Sequence, residues 1–156
     1  MSDSPPSDVA AERAVLAGIF AHGGDVYHDI ADIVTSQTFS VPSNAAIWAC
    51  MEHCLKDTPN GRLDYPTLLS SANSLGLKSL FEKESDQAHL RGIMNMATNL
   101  AVVPQNVRKM AARVRRLEVG RLLHSQLVMA TNNIAGLTGD ESVDQILALA
   151  EGPVFD

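Results

Sequence analysis

Apolar positions in this chain recur at helical spacing almost throughout, and turn residues divide them into segments. Val9, Val15, Leu16, Ile19 and Phe20 fall on one side of a first helix, because residues three and four apart share a helix face. Ser7 or Asp8 can cap it, and Gly23-Gly24 ends it. A second helix over about 26–35 turns Ile30, Ile33 and Val34 inward. Pro42 suits the start of a third, which runs to about Lys56 with Ile47, Trp48, Met51 and Leu55 in its apolar set. Thr58-Pro59-Asn60-Gly61 reads as a turn. Asp64 caps the next helix, through about Leu75, and Gly76 stops it. Residues 80–98 read as one or two helices with Leu90, Ile93 and Met94 inward. No run of alternating β-branched residues marks a strand.

The longest element starts at Pro104 and runs to about Ala135, and its apolar stripe changes sides. Val103, Val107, Met110, Val114 and Leu117 lie on one face. Val119, Leu122, Leu123, Leu127, Ala130 and Ile134 cluster about half a turn round, at about 100° per residue. Gly120 sits at the switch. A helix buried first on one side and then on another serves two packing partners. Gly136 to Gly139 is a tight connection, and Asp140 caps a last helix carrying Val143, Ile146, Leu147 and Ala150, closed by Gly152-Pro153. Two helices joined by so short a loop form an antiparallel hairpin. The expected architecture is all-α, a small helical head followed by a long two-helix antiparallel hairpin. Residues 1–7 form a disordered tail, 8–100 the head and 101–151 the arm.

Composition agrees with helix packing. Apolar residues make up 46% of the 156 and aromatics only 4%, enough for a core built mainly from aliphatic side chains. No membrane span or signal peptide is visible, so a cytoplasmic protein is expected. Cys50 and Cys54 lie four apart on one helix, a poor spacing for a disulfide, and are read as reduced thiols. The formal charge of −6 weighs against broad DNA binding. It is unevenly spread. Arg108, Lys109, Arg113, Arg115, Arg116 and Arg121 face a single acid, Glu118, giving this window +5 and the rest of the chain −11. Such a division suits contacts between oppositely charged protein surfaces.

Four segments in fixed order carry a family resemblance. They are Ala11-Glu12-Arg13-Ala14-Val15-Leu16-Ala17-Gly18, then Phe39 to Trp48 with its Ile47-Trp48 pair, then Leu63-Asp64-Tyr65-Pro66-Thr67-Leu68, then Asn106 to Leu123. Together they resemble the N-terminal domain of the DnaB-type replicative DNA helicases. Ala17 stands where that family has its first Gly, Asn44 replaces a His, and Met110 replaces a Tyr. The family's Gly-Gly-x-x-Tyr-Leu segment is not recognisable near residues 78–90. These departures fit a divergent member, phage-encoded ones included. The resemblance implies a non-catalytic collar domain that mediates oligomerisation, as dimers and a trimer of dimers, and docks primase in DNA replication. It also implies that 152–156 begin a linker to the ATP-hydrolysing motor domain of the same polypeptide. ATP and Mg are expected only in that motor, and no cofactor here.

The candidate chemistry is thin. No Gly-x-x-x-x-Gly-Lys-[Ser/Thr] occurs, and Gly76-Leu77-Lys78-Ser79 carries an extra Leu before its Lys. Cys50, His53 and Cys54 share a helix side, but no second ligand pair completes a zinc site. Half-buried thiols on a core helix are the plainer reading. The basic run lacks the interleaved aromatics of a single-strand platform, so direct nucleic-acid contact is expected to be weak or absent. The residues expected at a protein interface are Arg108, Arg113, Arg115, Arg116, Arg121, Leu122, Leu123, Leu127, Ile134, Ile146 and Leu149. Two alternatives stand beside this reading. One is a free-standing adaptor, such as a primase helicase-binding domain or a helicase loader. The other is a small helical enzyme with a metal on Cys50, His53 and Cys54.

Overall fold

A computed structural model of the chain describes residues 4–99 and 102–155. Its elements are α1 (Val9–His22), α2 (Gly24–Ile30), a 3-10 turn (Ser36–Thr38), α3 (Pro42–Leu55), α4 (Tyr65–Leu75), α5 (Ser79–Glu82), α6 (Glu84–Asn99), α7 (Pro104–Ala135) and α8 (Val143–Phe155). The fold is all-α, with no strand among the described residues. Among the described residues, no helix is long and apolar enough to cross a membrane. The chain divides into two compact units, Asp8–Arg116 and Met1–Ser7 with Leu117–Asp156. The first turns of α7 belong to the head, and its remainder belongs to the second unit.

Local chemistry sets most helix ends. Asp8 caps α1, its carboxylate accepting the Ala11 amide at 2.9 Å. Asp64 caps α4 through the Thr67 amide, also at 2.9 Å, and Gly76 ends that helix in the left-handed region at φ 72°. The expected second helix stops early. The amides of Ile33 and Val34 both fold back on the Ile30 carbonyl, and Thr35 and Thr38 then cap the 3-10 turn reciprocally. Three consecutive β-branched residues, Ile33-Val34-Thr35, disfavour another helical turn there.

Two further expectations are corrected. Ser142, not Asp140, caps α8. Its hydroxyl accepts the Gln145 amide at 3.2 Å, while Gln145 Oε1 accepts the Ser142 amide at 2.8 Å, a reciprocal capping box. Glu141 meanwhile accepts the Thr138 and Gly139 amides and so organises the preceding loop. These bonds hold its carboxyl down at about 2. Gly152-Pro153 does not close α8, which continues to Phe155. A proline in the last turns removes a single backbone donor, and the helix continues past it.

The head packs around Trp48, which is fully buried with its ring 5.4 Å from Tyr27 and 5.7 Å from Phe39. Helix α1 lies against both α6 and α3, and α3 against α4. Gly18 is where α1 meets α7. A Cβ there would overlap the Val107 side chain, so the missing side chain sets how closely the two helices approach. Gly23, at φ 69°, is held against the 58–61 turn, whose Gly61 carbonyl accepts the Gly24 amide at 2.8 Å and fills the space a Cβ would need. Within the head, the buried face of α7 is Val107, Ala111 and Val114. Val103 and Met110, expected on that face, are exposed, and Leu117 is half-buried.

Among the described residues, Glu12 is the buried charged side chain, 1% exposed. Its carboxylate accepts the Ser40 amide and hydroxyl, the Val41 amide and the Asn44 side-chain amide. Together these bonds fix the N-terminal end of α3, which has no capping side chain of its own. Because Asn44 donates to Glu12, its carbonyl oxygen faces His89, whose Nε2 therefore carries the proton donated across 2.5 Å.

Candidate interaction surface

The basic run does not form one free face. Arg108 pairs with Asp29 at 3.2 Å and also donates to the Asp29 backbone carbonyl. Arg113 Nε lies 2.6 Å from the Asp8 carboxylate. The Ala11 amide, and after it Arg113, hold the Asp8 carboxyl below its usual range. Arg121 donates to the Pro6 carbonyl at 3.2 Å. Arg115 and Arg116 are both exposed, and neither Lys109 nor Arg116 makes an ion pair among the described residues. At about 100° per residue, Lys109 and Arg116 point to one side of α7, and Arg108 and Arg115 to another. The sequence showed a charge cluster. The fold ties two of its arginines to acids of the head itself.

A shallow groove of about 500 Å³ opens beside these cations, lined by Asp29, Pro104, Gln105, Arg108, Lys109 and Ala112. Its borders carry both signs of charge, so it gives a partner of either sign no clear preference.

The apolar half of the expected surface lies in the second unit. Leu122 is 58% exposed and Leu127 55%, and Leu123 and Ile134 are also exposed. Ile146 and Leu149 are half-buried. Val128, Met129, Val143 and Leu147 are exposed as well, Val143 to 72%. The sequence reading did not single out these four for the surface. Periodicity shows that a helix is apolar on several sides, but not which sides its neighbours leave open.

The cysteine pair offers little chemistry. Cys50 is buried, and burial, with Cys54 beside it, pushes its thiol up to about 11. Ser71 lies between the other two groups, 3.0 Å from His53 Nδ1 and 2.9 Å from Cys54 Sγ. Among the described residues, no group of three or more His, Cys, Asp or Glu is arranged to hold a metal ion. Cys50 sits in the core and cannot join His53 and Cys54 around a common metal ion without unpacking α3.

The motif residues that carried the resemblance have structural roles. Glu12 holds α3, Gly18 seats α7, Asp64 caps α4, and Ala111 and Val114 close the core. The family model described as DnaB-like helicase N terminal domain matches residues 4–116. That match ends at the same residue as the head, Arg116. No curated protein matches the chain.

Proposed function

The chain belongs to the DnaB-like helicase N-terminal domain family, and from that premise we propose that it is the oligomerising, primase-docking collar of a replicative hexameric helicase. In this reading it carries out no nucleotide chemistry. It has no phosphate loop in its sequence, and the motor it serves lies outside these 156 residues. The observation that supports assembly is the exposed apolar surface of α7 and α8, from Leu122 to Leu147. Exposed in a monomer, it favours aggregation; covered by a second copy, it gives a stable pair. Docking of primase rests on family membership and on the head's exposed cations Lys109 and Arg116, which make no ion pair among the described residues. These are available to an acidic partner surface.

One double reversal separates the readings. Arg115 and Arg116 are changed to Glu, and the variant is measured by sedimentation, by single-stranded DNA binding and by primase pull-down. Loss of primase capture with helicity and self-association intact supports the docking role. Loss of DNA affinity alone points to nucleic-acid contact. No change in any of the three measurements rules the basic run out as a contact surface.

A further inference from the structure

The sequence places a glycine, Gly120, in the interior of a 32-residue helix, where glycine is about 1 kcal/mol less favourable than alanine. A second observation accounts for the missing side chain. A Cβ at Gly120 would sit 3.1 Å from Pro6 Cγ, closer than an ordinary van der Waals contact. The Pro6 carbonyl accepts a hydrogen bond from Arg121 at 3.2 Å. The N-terminal segment therefore lies across α7 at Gly120-Arg121, within the same compact unit as the exposed apolar side chains. Two consecutive prolines, Pro5 and Pro6, stiffen it, so little chain entropy is lost in holding it there.

The face it crosses is apolar, since Leu123 and Leu127 lie on the same side of α7 as Gly120, at about 100° per residue, and both are exposed. The geometry points to an autoinhibitory strap: the Ser4–Ser7 segment occupies the first turn of the arm's pairing surface, and a second copy of this chain competes with Pro6 for the space over Gly120. This rests on the reading that the arm self-associates. The contacts that hold the strap include the Arg121 hydrogen bond to the Pro6 carbonyl and the packing of Pro6 over Gly120. Its release then strengthens association by about fivefold, the ratio that corresponds to about 1 kcal/mol.

The test uses the full chain and three variants, Pro6→Gly, Gly120→Ala and the two combined, followed by sedimentation over a concentration series with helicity recorded for each. Pro6→Gly loosens the strap, and Gly120→Ala lifts it by filling the space beneath the proline. The expected result is a dimer dissociation constant about fivefold lower in each single variant, with little further gain in the double. That non-additivity separates strap release from the higher helix propensity of alanine. A parent chain that associates, with variants that associate equally or less well, overturns the strap alone. A parent and variants that all remain monomeric at high micromolar concentration overturn the self-association reading, and the strap with it.

Discussion

The side-chain amide of Asn44, on α3, donates to the Glu12 carboxylate, on α1, at 3.1 Å. The bond ties the opening motif of the chain to a helix that starts thirty residues later. Glu12 is thus a helix cap supplied from another helix.

Glu12→Ala should be among the most destabilising single changes in the head. It leaves the Ser40 and Val41 amides and the Asn44 amide buried without their acceptor, at a cost of about 3 kcal/mol or more. Urea unfolding checks this. A loss below about 1 kcal/mol would show that water replaces the carboxylate.

Gly18→Ala should destabilise by overpacking, by about 1–3 kcal/mol, because the added methyl meets the Val107 side chain. Adding Val107→Ala should restore part of that loss. A double-mutant cycle with no coupling would mean that α1 and α7 do not meet at this point.

Trp48→Phe should fall within about 1 kcal/mol of the parent, although Trp48 lies at the centre of the core. Its indole Nε1 is buried with no hydrogen-bond partner, and a buried donor left unsatisfied costs about 1–3 kcal/mol. Removing it offsets the lost ring area. Trp48→Ala should lose about 3–5 kcal/mol. Equal losses for the two variants would contradict the account.

Much of this was legible in the sequence, for definite reasons. Pro104 and Gly136 bound α7, and Asp64 and Gly76 bound α4, because caps and breakers act within a few residues of themselves. The role of Glu12 was not legible. Its acceptor geometry depends on partners 28 to 32 residues away, and no local period encodes them. The same holds for Arg108 with Asp29 and Arg113 with Asp8, 79 and 105 residues apart. The face of α7 was misjudged at Val103 and Met110 because valine and methionine occur on several sides of that helix. Only the position of Gly18 on α1 selects the side bearing Val107.

Stability should fall as pH drops below about 6.5, through His89. Burial, and after it the charge of Arg13, hold its imidazole below the ordinary 6.5, with Asp86 opposing. The folded state therefore binds fewer protons than the unfolded chain between the lowered value and 6.5. The contribution of His89 is complete above 6.5 and is lost as pH falls through the folded value. Denaturant midpoints measured from about pH 8 to about pH 5 should show the decline. His89→Gln keeps a donor for Asn44 without titrating, and should flatten it.

The single tryptophan has a practical consequence. Trp48 and both tyrosines, Tyr27 and Tyr65, lie in the head, and the chain has no others. Intrinsic fluorescence is therefore blind to residues 117–156, while far-ultraviolet circular dichroism records α7 and α8 along with everything else. If the two units melt together, the fluorescence and dichroism curves superimpose. If the arm loosens first, the dichroism signal falls while the tryptophan emission stays in place, and the two signals give separate midpoints without any added label.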